Sequence, residues 1–288
     1  VSGTGRVHIT KRAEVATSHR CFRADWDDRQ NAAVYGLEAR PHGHNYLVEA
    51  TVSGPLDPNT GMVTNLKDVK AALRGVLAAY DHRDLNADHP DFTDGLVPTT
   101  ERVLAGIFDH LAAALAPGLD DGGRLERVRL LEGEDAAYEV HHPDASHSPS
   151  PIRDAMLVTR RYRFSAAHRL HSPHLSEAEN LETFRDCNNP NGHGHDYALE
   201  VTVKGEVDPA TGLAANHAHL DKAVREGVVD RFDYRNLNDD VPEFAHAVTT
   251  SENIVKTVWD ILEKRLGEGV LYRVRLAETR DNAFEYYG

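Results

Sequence analysis

The sequence predicts an α+β protein made of two tandem copies of one domain. Three observations lead there. An ordered series of motifs recurs at an offset of about 150 residues. Each copy opens and closes on strand-like segments. Between them lie apolar residues at helical spacing.

The first copy carries His19, His42-Gly43-His44, the turn Asp57-Pro58-Asn59-Thr60-Gly61 and Asp81-His82-Arg83-Asp84-Leu85-Asn86. It continues with Thr99-Thr100-Glu101, Val128-Arg129-Leu130-Leu131-Glu132 and Tyr138. The second carries His168, His193-Gly194-His195, Asp208-Pro209-Ala210-Thr211-Gly212 and Asp233-Tyr234-Arg235-Asn236-Leu237-Asn238. Thr250-Ser251-Glu252, Val274-Arg275-Leu276-Ala277-Glu278 and Tyr286 follow in the same order.

Val7 to Ser18, Leu157 to Ser165, Asn45 to Ser53 and Asp196 to Lys204 are rich in β-prone residues and read as strands. The Asp-Pro-x-Thr-Gly turn follows each second strand. Leu66, Val69, Leu73, Val76, Leu77 and Tyr80 then share one helical face, with Thr64 or Asn65 as the cap. Leu220, Val224 and Val228 match it more weakly. A second helix runs through Val103, Leu104, Ile107, Phe108 and Leu111, matched by Ile254, Val258, Ile261 and Leu262. A strand (Arg127 to Glu132, Leu271 to Glu278) and a short extended tail close each copy. The pattern ββααββ implies an antiparallel four-stranded sheet with two helices on one face. Residues 141–155, HHPDASHSPSPIRDA, have no apolar periodicity and read as a linker between domains 1–140 and 156–288. The linker histidines are taken as solvated.

The length of 288 residues allows each copy its own core, and 40% hydrophobic with 27% charged residues is a soluble composition. No apolar run nears the roughly 18 residues of a membrane span. The start VSGTGR has neither a signal-peptide core nor an initiator Met, so a trimmed or tag-derived N-terminus is expected. A formal charge of −14 argues against nucleic acid or an anionic membrane as partner. Two cysteines, Cys21 and Cys187, exclude a disulfide framework and suit a reducing cytoplasm.

The 18 histidines are the unusual feature. In His-Gly-His the rings lie at i and i+2, which on a strand project from one face and can grip one ion. The middle glycine permits close backbone approach. With His19 or His168 from the preceding strand, each copy offers three nitrogens, the set with which catalytic zinc leaves its fourth position open. A lone His-x-His is ordinarily a surface strand. Its recurrence with an upstream partner favours one zinc ion per copy.

Phe164-Ser165-Ala166-Ala167-His168-Arg169-Leu170, followed by Cys187-Asn188-Asn189-Pro190-Asn191-Gly192-His193-Gly194-His195, resembles the 6-pyruvoyl-tetrahydropterin synthase family, which includes 6-carboxy-tetrahydropterin synthases. The resemblance covers both copies and implies two tandem tunnelling-fold (T-fold) domains that oligomerise into β-barrels. It implies a 7,8-dihydroneopterin triphosphate substrate whose side-chain hydroxyls meet zinc on His168, His193 and His195. It implies Cys187 as the proton-abstracting base, Glu278 (and Glu132) as the pterin anchor, and Thr250 (and Thr99) in the pterin pocket. Loss of triphosphate follows. A family hexamer of single domains corresponds to three of these chains.

The copies depart from the pattern reciprocally. The family joins its cysteine to an Asp-His pair from another subunit. The second copy keeps Cys187 but reads Asp233-Tyr234, whereas the first keeps Asp81-His82 but has Glu38 at the cysteine spacing. Cys21 is misplaced to substitute. One complete site is therefore expected to combine His168, His193, His195, Cys187 and Glu278 with Asp81 and His82. The other would combine His19, His42, His44, Glu38 and Glu132 with Asp233 and Tyr234, either as a structural zinc site or with Glu38 as base. Three lyase products stay open: 6-pyruvoyl-tetrahydropterin, 6-carboxy-tetrahydropterin or a side-chain-cleaved 6-hydroxymethyl-dihydropterin. A non-catalytic pterin-binding protein and an unrelated zinc hydrolase are the other readings.

Overall fold

The computed structural model describes residues 5–119, 122–145 and 155–288. The chain forms two compact units, Val1–Val158 with Lys204–Ala218, and Thr159–Val203 with His219–Gly288. The segment after the second copy's second strand falls in the first unit. Its backbone carbonyls are held there by side chains of the first copy, as set out below.

In the first unit the elements are β1 (Val7–His19), α1 (Asp28–Tyr35), β2 (His42–Gly54), α2 (Leu66–Leu77), β3 (Arg83–Asp84), α3 (Thr100–Leu115), β4 (Arg124–Glu132) and β5 (Ala136–His141). The sheet order is β5-β4-β2-β1-β3. It is antiparallel except for the two-residue parallel bridge of β3 to β1. β6 (Met156–His168), α4 (Glu177–Phe184), β7 (His193–Gly205), α5 (His217–Val224), β8 (Arg235–Asn236), α6 (Ser251–Leu266), β9 (Leu271–Ala277) and β10 (Ala283–Tyr286) repeat the series. In the second unit the order is β10-β9-β7-β6, with β8 beside β6.

Alternation along β2 buries Tyr46, Val48, Ala50 and Val52, and β4 adds Val128 and Leu130. On α3, Val103, Leu104, Ile107 and Leu111 are buried at helical spacing. α3 packs on β4 and β5, and α2 packs on α3 and β1. α6 packs on β9 and β10 in the same way. Asn65 caps α2, its side chain accepting from the Lys67 amide. Ile107, which has no exposed surface, sits in this core. Ile107→Ala is expected to destabilise the first unit by about 2–5 kcal/mol, read as a lower denaturation midpoint.

Two details differ from the sequence reading. His141 ends β5 instead of opening the linker, because it pairs with Arg127 across the β4–β5 ladder; residues 146–154 of the linker lie outside the described residues. The helices α1 and α4 were not foreseen between the first two strands of each copy. Each is only eight residues long with weak amphipathicity. The legible signal is a capping box, Asp27 with Gln30 and Ser176 with Glu179. Among the described residues no helix is long and apolar enough to cross a membrane.

Candidate metal centres

β1 and β2 pair with His19 opposite His42 and Thr17 opposite His44. On β1, His19 shares the buried face of Val15 and Thr17; on β2, His42 and His44 continue the face of Tyr46. Three imidazoles therefore converge at the end of one strand pair, as expected. Gly43 is required because a Cβ there would stand 2.9 Å from the Thr17 carbonyl oxygen on β1. Gly194 meets the Ala166 carbonyl in the same way at 3.1 Å.

The ligand atoms of His19, His42 and His44 lie within 4.8 Å of one another, and so do those of His168, His193 and His195. Each group could hold a metal ion. Backbone carbonyls orient the rings. His168 Nδ1 donates to Thr249 O at 2.8 Å, His19 Nδ1 to Pro98 O, and His42 Nδ1 to Arg40 O at 2.7 Å. A carbonyl only accepts, so these rings present Nε2 lone pairs to the centre, the usual outer-sphere arrangement of metal-binding histidines. His42 Nε2 is buried with no hydrogen-bond partner, and His168 Nε2 lies 3.1 Å from His193 Nε2. Both features fit nitrogens directed at a common cation.

Burial pushes the His19 imidazole down to about 4 against the opposing Pro98 bond, with His42 and His44 adding to the fall. Burial likewise lowers His44, His168 and His193. Neutral imidazole is the form that ligates a metal.

A carboxylate stands beside each triad. Glu278 Oε1 is 3.8 Å from His168 Nε2 and 3.6 Å from His195 Nε2; Glu132 Oε1 is 3.8 Å from His44 Nδ1. Ser251 Oγ donates to Glu278 at 2.9 Å, and Thr100 Oγ1 donates to Glu132 at 3.2 Å. The hydroxyls of Thr99 and Thr250 cap α3 and α6. The residue beside each anchor is the next one in sequence.

Cys187 and Glu38 occupy the same backbone seat. Each lies in a 3-10 turn (Arg185–Asn188, Gly36–Ala39) after α4 or α1. Each carbonyl accepts the amide of the residue two beyond the first ligand: Leu170 N to Cys187 O at 2.9 Å, Cys21 N to Glu38 O at 2.7 Å. Buried asparagines fix the approach to both seats. Asn31 and Asn180 each donate to three carbonyls in the preceding loop, and their Oδ1 atoms accept from Arg23 N and Ser172 N. Cys21 itself is fully buried, its Sγ 3.9 Å from Glu38 Oε2. Burial, then Glu38, pushes that thiol well up, so it is inert packing.

Asp81 accepts from Ala16 N at 3.0 Å and from His82, whose Nδ1 is 3.0 Å from Asp81 Oδ1. Asp233 accepts from Ser165 N at 2.7 Å in the matching place, and Tyr234 stands where His82 stands. Cys187 belongs to the second unit, Asp81 and His82 to the first.

One group near Glu38 escaped the sequence reading. His217 Nε2 lies 2.8 Å from Glu101 Oε1, and its Nδ1 lies 3.6 Å from Glu38 Oε1. Glu101 has no exposed surface.

Duplicated α+β domains, each closing a histidine triad at the end of a strand pair beside a carboxylate, define a tunnelling-fold protein with two candidate metal centres. Residues 8–143 and 157–288 both match the family described as 6-pyruvoyl tetrahydropterin synthase. The chain belongs to that family and is a lyase of its type, a pterin synthase. It is 52% identical over 131 residues to the human 6-pyruvoyl tetrahydrobiopterin synthase, covering 46% of this chain and 90% of the human protein. The Drosophila melanogaster protein of the same name is 46% identical over 133 residues, 46% of this chain and 79% of that one. The solved Caenorhabditis elegans 6-pyruvoyl tetrahydropterin synthase is 46% identical, covering 46% of this chain and 96% of its own, with a TM-score of 0.45.

Proposed function

We propose that the chain is a zinc-dependent lyase that converts 7,8-dihydroneopterin triphosphate into 6-pyruvoyl-tetrahydropterin with loss of triphosphate. The observation that carries this reading is the seat of Cys187. The half-buried Cys187 lies in the turn whose carbonyl accepts the amide of Leu170, two residues beyond His168, and the same unit holds the His168–His193–His195 triad with Glu278 beside it.

Zinc on the three imidazoles would supply Lewis-acid polarisation of the substrate's side-chain hydroxyls. The remaining roles fall to the chain. Glu278, steadied by Ser251, accepts two N–H donors from the amino-pyrimidine edge and fixes the ring. The Cys187 thiolate takes a proton from the side-chain carbon beside the polarised hydroxyl. Asp81 holds the His82 ring by Nδ1, leaving Nε2 to return a proton to the side chain. We assign Asp81 and His82 to the same reaction as Cys187, supplied by a first copy within an assembly of three chains. Thr250 and Thr99 serve this chemistry through the N-termini of α6 and α3, which carry Ser251 and Thr100.

The first copy's seat favours a second activity there. Glu38 replaces the thiol with a carboxylate beside His19, His42, His44 and Glu132, and Asp233 completes the set without an imidazole at Tyr234. That composition suits side-chain cleavage to 6-hydroxymethyl-dihydropterin.

Zinc-loaded protein should be incubated with 7,8-dihydroneopterin triphosphate and its products identified by mass spectrometry. A mass corresponding to 6-pyruvoyl-tetrahydropterin is expected. The 6-carboxy product would overturn the assignment of product, and recovery of intact substrate would make the chain a binding protein. Metal analysis is expected to find two zinc ions per chain, and one after His168→Ala.

A further inference from the structure

The segment between β7 and α5 is built into the first unit by contacts that run its length. Arg23 Nη1 donates to Ala210 O, Arg102 Nη2 to Pro209 O, Tyr35 Oη to Thr211 O and Thr99 Oγ1 to Gly212 O, all between 2.6 and 2.9 Å. Leu213 is buried with Cys21, Tyr35 and Val97. Ala214 N donates to Glu101 Oε1 at 3.2 Å. These contacts deliver His217 to the space between Glu101 and Glu38, where its side chain is 8% exposed.

Nothing in the repeat requires a histidine there. The matching residue of the first copy is Leu66, which is 49% exposed. The second copy thus lacks an imidazole at Tyr234 but has one at His217 that the first copy does not have.

The ring lies between two carboxylates. Nε2 donates to Glu101 Oε1 at 2.8 Å, and Nδ1 faces Glu38 Oε1 at 3.6 Å. The two negative charges outweigh burial and favour the imidazolium. The other groups nearby do not compete. Cys21 is a buried neutral thiol, the Tyr138 ring centroid is 6.0 Å from that of His217, and Arg102 is bound to the Val97 and Pro209 carbonyls.

We propose that His217 is the positioning residue of the Glu38 site: clamped by Glu101, its imidazolium holds the Glu38 carboxylate ionised and aimed. The proposal rests on Glu38 acting as the base of the first copy. In that step Glu38 takes the proton of the outer side-chain hydroxyl, the C–C bond between the two hydroxyl-bearing carbons breaks, the outer fragment leaves as an aldehyde carrying the triphosphate, and Glu38 returns the proton to the carbon left on the pterin. His217 keeps its protons and its charge throughout.

The test uses the zinc-loaded full chain carrying Cys187→Ala, so that only Glu38-dependent turnover of 7,8-dihydroneopterin triphosphate remains. His217→Gln, which removes the charge and keeps a polar side chain, is expected to lower kcat about tenfold or more. KM and zinc content should change less than about twofold. Independently, ¹⁵N NMR of the unmutated chain at pH 8 should show both His217 nitrogens protonated, the signals being assigned by their loss in His217→Gln. A neutral His217 ring, or an unaltered kcat in His217→Gln, overturns the role of His217. Absence of any Glu38-dependent product in the Cys187→Ala chain overturns Glu38 as a base, and a doubly protonated His217 ring would then stand as structure alone.

Discussion

Cys187→Ala is expected to lower kcat/KM for conversion of 7,8-dihydroneopterin triphosphate to the pyruvoyl product by about 10²–10⁴-fold. His82→Ala should cost as much, although His82 lies in the copy that has no cysteine. In the proposed reaction His82 returns the proton to the side chain from which Cys187 has taken one, so neither suffices alone. Asp81 is fixed by the Ala16 amide and fixes His82 in turn, while the ring itself is 81% exposed. An exposed, oriented imidazole has no packing role, so its removal leaves the fold and zinc content intact. Product formation, followed by mass spectrometry, is the measurement. An active His82→Ala chain would separate the Asp81–His82 pair from the cysteine chemistry.

The largest expected effect on stability is that of His217→Leu. It strands the buried Glu101 carboxylate without its counter-ion, a change that costs about 3–5 kcal/mol. Combining it with Glu101→Gln should recover part of that loss, because the charge needing compensation is gone. The pH dependence has a definite sign. Burial alone would lower the His217 ring, but Glu101 and then Glu38 outweigh it and carry it from 6.5 up to about 10. A group raised on folding contributes stability that is complete below about 6.5 and is lost as pH rises through about 10. Denaturation midpoints measured between pH 6 and pH 10 should therefore fall in the parent chain. The double variant should show a flatter profile.

Much of the fold was legible because the duplication reads each element twice. The His-Gly-His pairs could be placed on strands, and the structure sets them opposite their upstream partners, with Gly43 against the Thr17 carbonyl. Glu38 could be aligned with Cys187 by spacing alone, and both take the same amide contact. Comparison of the copies fails, however, where they differ in kind. His217 faces no histidine in the first copy, so nothing in the motif series drew attention to it. Its function depends on a segment crossing from one copy's sequence into the other copy's unit, a tertiary fact that no local pattern encodes. The Thr100–Glu132 and Ser251–Glu278 bonds were not legible for a local reason: the threonine before each helix caps it, and the hydroxyl bound to the carboxylate is one residue on. The short helices α1 and α4 carry too few apolar positions for periodicity to announce them.

His82 and Tyr234 share a backbone conformation that neither side chain prefers. Their φ angles are 55° and 54°, and each amide donates to a β-strand carbonyl, Ala16 O or Ser165 O, at 2.6 Å. Holding a bulky residue there costs about 1–2 kcal/mol, which glycine would avoid. The first copy converts that strain into an imidazole thrust clear of the surface. The second retains the same bend beneath a phenol that is 86% exposed. The scaffold of the Asp-His pair is thus present in both copies, and its imidazole in one. Because Tyr234 already holds the φ of His82, a chain carrying Tyr234→His is expected to present the Asp-His pair in both copies on the backbone it now has.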